Sequence, residues 1–224
     1  MTYRQIINAV LRRLREDTIS SDWSGTLVDA TGVSDYQKLI GDFVNEAKRD
    51  VEDAWNWGAM RGISTSSITS GNTSVTTSAL SNRSRILHVV EKSTGDELKK
   101  VSDSWIEKSY LPTDSLESGQ PVYYSIQNIS ESSSMLKFYP KADATYSMSL
   151  FTVTPQDDLS SASDSLEVPS EPVILGAWAR AISERGEDGG SQTGDVYAMY
   201  TKSLSDHIAI DAGNYQDETV WASN

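Results

Sequence analysis

The chain of 224 residues has no cysteine, only two histidines and fewer basic than acidic side chains. Without Cys it can form neither a disulfide framework nor a thiolate metal site, which suits folding in a reducing cytoplasm. His88, in strand-like sequence, and His207, in helix-like sequence, have no Cys, His or carboxylate at metal-ligand spacing. Both read as packed or surface residues, and no metal or cofactor is expected. Long hydrophobic runs are missing too. The most apolar stretch, Val173 to Ile182, is broken by Arg180 and is far shorter than the roughly 20 residues of a membrane span. No basic-then-apolar leader opens the chain, so it reads as soluble, unprocessed and free of membrane contact. Asn72, Asn82 and Asn128 head glycosylation triplets, which chance supplies in so Ser-rich a chain.

Lys and Arg number 19 against 32 Asp and Glu, a net charge of −13. Tight nucleic-acid binding requires several phosphates to be neutralised, so most of this surface should repel DNA. The charge is uneven. Residues 1–16 carry Arg4, Arg12, Arg13 and Arg15 against Glu16, a net of +3, whereas residues 155–224 carry thirteen acids against Arg180, Arg185 and Lys202, a net of −10. A basic end and an acidic end suit head-to-tail contact between copies, with Arg4, Arg12 and Arg13 as subunit-contact candidates. The plainer alternative is a solvated acidic surface.

Apolar content is sufficient for a core: 38% of residues are hydrophobic, among them six Trp and ten Tyr,. From Tyr36 to Trp57, Leu39, Ile40, Phe43, Val44, Ala47, Val51 and Trp55 recur at spacings of three and four, one stripe on a 3.6-residue period. Ser34 and Gln37 form a capping-box pattern at its start, and Gly58 is a stop. A shorter helix from Thr2 to Glu16 carries Ile6, Ile7, Val10, Leu11 and Leu14 and opens on the same pattern at Thr2 and Gln5. Helix resumes at Ser170, with Pro172 in the first turn and Val173, Ile174, Ala177, Trp178, Ala181 and Ile182 as its stripe. Gly186, Gly189, Gly190 and Gly194 connect it to a last helix from Gly194 to Ala212, with Val196, Met199, Tyr200, Leu204 and Ile208 on one side. That connector lacks G-x-G-x-x-G spacing and follows a helix, so it is not a phosphate cradle.

Between the helices the period changes to two. Val122, Tyr124 and Ile126 alternate with Tyr123, Ser125 and Gln127; Leu136 and Phe138 flank Lys137; Tyr146, Met148 and Leu150 alternate with Ser147 and Ser149. Arg85–Lys92 and Glu97–Val101 read as a pair around a turn at Ser93 to Asp96. Ile63–Thr69 and Thr73–Thr77 read as a hairpin through Ser70, Gly71 and Asn72. A short helix or loop spans Asp103 to Tyr110, and a Ser- and Asp-rich linker at Asp157 to Ser165 closes the region. The expected fold is α+β: an antiparallel bundle of four helices from residues 1–60 and 169–213, an antiparallel sheet or sandwich inserted over residues 61–168, and an extended C-terminal tail over residues 214–224.

The segments YRQIINAVLRRLRE, DYQKLIGDFVNEAKRDVEDAWNW and EPVILGAWARAISERGEDGG, with SGQPVYYSIQ and MLKFYPKAD between them, resemble the head-to-tail adaptor proteins of tailed bacteriophages, the connector or tail-tubular-A-like ring that joins portal to tail. The resemblance covers most of the chain and rests on packing and turn patterns. It implies a helical bundle with a β-rich insertion and no catalysis. It also implies a ring of twelve copies beneath the portal protein, contact with a tail nozzle or next tail ring, and a place at the neck of the virion after assembly in the host cytoplasm. DNA would pass through without specific binding, as an acidic conduit allows. Such adaptors push a C-terminal arm against the portal, which makes Tyr215, Val220 and Trp221 portal-docking candidates, since a buried aromatic is a frequent binding hot spot.

Two rival readings remain. Asp50, Glu52 and Asp53, or Glu184, Glu187 and Asp188, could supply paired carboxylates for glycoside hydrolysis, but acids on helix faces or in Gly-rich loops are mostly solvated. Tyr123, Tyr124, Tyr139 and Tyr146 could form a sugar-stacking platform of a carbohydrate-binding tail module, although their alternation with small polar residues is better explained by packing. Another neck or nozzle ring protein is the alternative within the structural class.

Overall fold

The computed structural model describes residues 1–78, 80–111, 117–130, 133–186 and 191–214. The chain divides into two compact units, one of Met1–Ala59 with the residues from Gln156 onward, the other of Met60–Pro155.

The first unit is helical. Helix α1 (Tyr3–Arg13) and helix α2 (Asp35–Ala54) both open on the capping boxes read from sequence. Thr2 accepts from the Gln5 backbone N–H at 3.4 Å and its own N–H donates to the Gln5 amide at 3.0 Å; Ser34 and Gln37 repeat the arrangement,. Ile6, Ile7, Val10 and Leu11 of α1 and Ile40, Val44, Ala47 and Val51 of α2 are fully buried, each contributing about 1.5–3 kcal/mol for the larger aliphatic side chains. Helix α2 ends three residues before its expected end, because Trp57 folds back and its indole N–H donates to the Val51 carbonyl at 2.6 Å. Helix α4 (Ser170–Arg185) is the hub, packed on by α1, α2 and α5 (Ser191–Asn214). Gly186 closes α4 at φ +62, a left-handed cap that Gly adopts without cost,. Helix α5 starts three residues earlier than expected. The acidic residues Glu187 and Asp188 and the connector glycines Gly189 and Gly190 lie outside the described residues.

The segment after Pro155, read from sequence as the linker closing the sheet region, lies against α1 and α2. Asn45 bonds both backbone groups of Leu159, Trp23 donates to the Ser160 carbonyl, and the Tyr3 N–H donates to the Asp164 carbonyl. Beneath it, Lys48 and Glu52 form an ion pair at 2.9 Å with neither side chain exposed. Lys48 donates to the Gln156 carbonyl at 2.7 Å and Glu52 accepts the Gln156 N–H at 3.2 Å. A buried pair on successive turns of α2 thus clamps both backbone groups of one residue of the returning chain.

The second unit holds nine strands in three sheets among the described residues. Strands β1 (Arg61–Ile68), β9 (Tyr146–Val153) and β3 (Arg85–Glu91) form one antiparallel sheet in the order β1-β9-β3, with a register shift between Ile86 and His88. Strands β2 (Ser74–Thr77), β7 (Ser133–Tyr139), β6 (Tyr123–Ser130) and β4 (Lys99–Lys100) form the second in the order β2-β7-β6-β4. The strands β5 (Ser118–Gly119) and β8 (Lys141–Ala142) form the third, and the helix α3 (Asp103–Tyr110) packs on β6 and β7. Ile68, Leu80, Val89, Leu98, Tyr124, Leu136, Phe138, Met148 and Leu150 share one buried core.

This architecture corrects the expected fold class. The chain is α+β with five helices and three sheets among the described residues, and not a helical bundle carrying one inserted antiparallel sheet. β4 pairs with β6 and β5 with β8 in parallel. These strands are two residues long, too short to show a period. The expected β1–β2 hairpin does not form: Gly71 turns at φ +84 and donates to the Ala142 carbonyl, sending β2 to pair with β7 while β1 pairs with β9. Helix α5 buries only Val196 and Tyr200 among its described side chains, so the helices do not share one symmetric core.

Candidate functional site

The net charge of the chain is confined to one unit. The helical unit holds 10 Lys and Arg against 23 Asp and Glu, a net of −13, whereas residues 60–155 hold nine of each sign, a net of zero.

Of the three arginines expected to touch other copies, two have partners within the chain. Arg4 pairs with Asp22 at 3.0 Å and donates to the Ser20 carbonyl. Arg13 pairs with Glu171 at 3.1 Å and lies over the Trp178 ring at 5.8 Å. Arg12 is exposed and its side chain has no partner among the described residues. Arg15, which sequence reasoning set aside, is in the same position, exposed and unpartnered, with its backbone at φ +57. Arg12 and Arg13 also sit in the last turn of α1, where cations complement the helix dipole,. The remaining candidates Tyr215, Val220 and Trp221 lie outside the described residues.

The carboxylates proposed for hydrolysis are engaged separately. Asp50 and Glu46 share the Arg180 guanidinium, while Glu52 is buried on Lys48. Sequence reasoning placed Glu52 on a solvated helix face; the returning chain at Gln156 covers it. Glu184 is exposed. His88 meets Glu97 at 2.6 Å, a contact hidden from local spacing because the turn between β3 and Glu97 brings the two together. His207 bonds the Ser203 carbonyl one helical turn back. Among the described residues, no group of three His, Cys, Asp or Glu side chains could hold a metal ion, and no helix is long and apolar enough to cross a membrane.

The four tyrosines do not make a platform. Tyr124 is buried on the core side of β6, and the Tyr146 hydroxyl donates to Asp143. Tyr123 and Tyr139 instead gather on Trp105 of α3, at centroid distances of 4.9 and 5.5 Å, with Tyr110 5.4 Å from Tyr139. Burial, and then the nearby Tyr139, push the Tyr110 hydroxyl up to about 12. Under the same helix Lys137 bonds Asp103 and Glu107, each at 2.9 Å. The Lys137 ammonium holds the Asp103 carboxyl below its usual range. Trp105 and Leu111 keep substantial exposed area, 40% and 73%. Aromatic side chains are enriched at protein interfaces relative to the rest of a protein surface.

The chain thus pairs a strongly acidic helical unit with a sheet unit of no net charge. It matches the SU10 adaptor protein family over residues 1–221 and belongs to that family. It is therefore a bacteriophage adaptor, a structural protein of the virion and not an enzyme. No curated protein matches it.

Proposed function

We propose that the chain is a head-to-tail adaptor that assembles as a ring of twelve copies between the portal protein and a tail nozzle or next tail ring, with DNA passing through the ring without specific binding. The family match across residues 1–221 carries this reading. The charge supports it: a conduit must not hold its cargo, and the net of −13 on the helical unit disfavours phosphate neutralisation,. The neutral sheet unit, with Trp105 and Leu111 exposed, supplies the surface for the next tail component. The segment 214–224, with Tyr215, Val220 and Trp221, docks on the portal.

Co-sedimentation with portal rings from the same phage tests the docking. The full chain is expected to pellet with the rings, and the chain ending at Gly213 is expected to stay in the supernatant while keeping its helical circular dichroism. Equal pelleting of both would refute the docking role of the tail. Failure of the full, folded chain to pellet would refute portal binding itself.

A further inference from the structure

The edge of a sheet turns a row of N–H and C=O groups outward, and folds commonly blunt it with lysines or cover it with chain. The sheet unit does both. Beyond β3 the chain returns along its outer side, where the Leu98 N–H donates to the Val89 carbonyl at 2.8 Å and the Glu91 N–H to the Asp96 carbonyl at 2.9 Å. The β4 edge carries Lys99 and Lys100, both exposed. The β2 edge has neither device, since it consists of Ser74, Val75, Thr76 and Thr77. Its ladder fixes which groups face out. Phe138 donates to the Thr73 carbonyl at 2.8 Å, and the register sets Ser74 opposite Lys137, Val75 opposite Leu136 and Thr76 opposite Met135. Residues of an antiparallel pair alternate between exchanging bonds and facing away, so Val75 and Thr77 bond β7, while Ser74 and Thr76 turn their backbone groups outward. Those groups have no partner among the described residues.

Beside this edge, between the start of β2 and the second half of α3, lies a pocket of about 300 Å³. Thr73 and Ser74 form one wall, and Ile106, Tyr110 and Leu111 the other. Ile106 is fully buried, and Leu111 stands exposed at the rim. Both walls are held in place. The Tyr110 hydroxyl donates to the Phe138 carbonyl, and Lys137 of β7 bonds Asp103 and Glu107 of α3. Lys137 and Glu107 also line the pocket, but they are engaged with each other and bring it no free charge.

We infer that an extended segment of the next tail component adds to β2 as a further strand and places one large uncharged side chain in this pocket. An extended main chain is required, because only that form matches outward N–H and C=O groups two residues apart. The volume is at the small end for ligand sites and suits a single side chain of the Leu, Met or Phe class. A charged side chain would lose its water there without gaining a partner. Walls fixed before binding lower the cost of ordering the complex. The inference rests on the reading that the sheet unit meets the next tail component, and goes beyond it by naming the strand, the pocket and the form of the partner.

The probe is an array of short overlapping peptides tiled across the virion proteins of the same phage, incubated with the full chain. Binding is expected to peptides from a tail protein that share an uncharged strand-forming stretch with one large apolar residue. Thr76→Pro removes an outward N–H and none that β7 receives, a substitution edge strands tolerate. It should keep the fold by circular dichroism and weaken binding about tenfold, the loss of one interfacial hydrogen bond whose acceptor stays buried. Leu111→Glu, at an exposed position, should weaken it by a similar factor. Hydrogen exchange at the Ser74 and Thr76 amides should slow when the best peptide is added. Unchanged exchange at both amides, or no binding by the folded chain, would overturn the groove assignment. Binding confined to peptides of this chain itself would also overturn it, by making the occupant a neighbouring copy. A chain that forms its ring on the portal but binds no peptide leaves the adaptor reading intact, whereas a chain that binds peptides but forms no ring strikes the adaptor reading.

Discussion

The helical unit and the sheet unit differ most in how they handle charge. The first carries 13 more acids than bases, the second equal numbers. The acids of the helical unit are mostly set on exposed faces around a buried apolar core, with Lys48 and Glu52 as an exception covered by Gln156. The sheet unit uses its charges locally. Glu91 is buried at the end of β3 and accepts from the Ser93 hydroxyl at 2.6 Å and from the backbone N–H groups of Ser93 and Thr94. Excess negative charge and locally paired charge are thus assigned to different parts of the chain.

The largest expected effect is at the exception. Lys48→Met leaves the Glu52 carboxylate buried without its cation and should cost about 3–5 kcal/mol in urea unfolding. A cost under about 1 kcal/mol would mean that water reaches the pair and that the helical core is not dry. In the sheet unit, Glu91→Gln removes the charge from three hydrogen bonds and should cost about 2 kcal/mol. The Ser93 hydroxyl and then the Thr94 and Ser93 N–H groups, acting against burial, hold the Glu91 carboxyl at about 2, below its ordinary 4.5. A lowered folded value stabilises above the unfolded one. Its contribution is therefore intact above pH 4.5, declines as pH falls below that, and is gone once pH passes about 2,. Acid titration of Glu91→Gln beside the native chain should show the difference between them vanishing over that window.

Gly41→Ala is expected to cost about 1–3 kcal/mol, because the added Cβ would lie 2.1 Å from the Leu27 Cδ2 and 2.7 Å from the Tyr3 hydroxyl. Chemical denaturation checks it. The smallest effect sharpens the charge contrast. Raising salt should slow hydrogen exchange across α2 and α4 by screening their self-repulsion, and leave β6, β7 and β9 unchanged. An equal response in both units would show that the excess acid does not strain the helical one.

Much of the helical unit was legible because its signals are local. The capping boxes at Thr2 and Ser34 and the three- and four-residue spacing in α1, α2 and α4 need no distant partner to be read. Strand positions were legible for the same reason, since alternation at Tyr124, Leu136, Phe138, Met148 and Leu150 marks the core face. Pairing was not. Nothing near Gly71 in the sequence says that β2 will leave β1 for β7, and two-residue strands such as Lys99–Lys100 carry no period. The fate of the arginines was equally hidden. Arg4 and Arg13 differ from Arg12 and Arg15 only in that folding brings Asp22 and Glu171 to the first two.

The most direct test is electron microscopy of the purified chain mixed with the portal protein of the same phage. A ring of twelve copies stacked on the portal is the expected result, with the acidic helical unit reachable by DNA in the channel. Portal rings left bare, under conditions where the chain is folded, would contradict the adaptor ring and point to a component placed further along the tail.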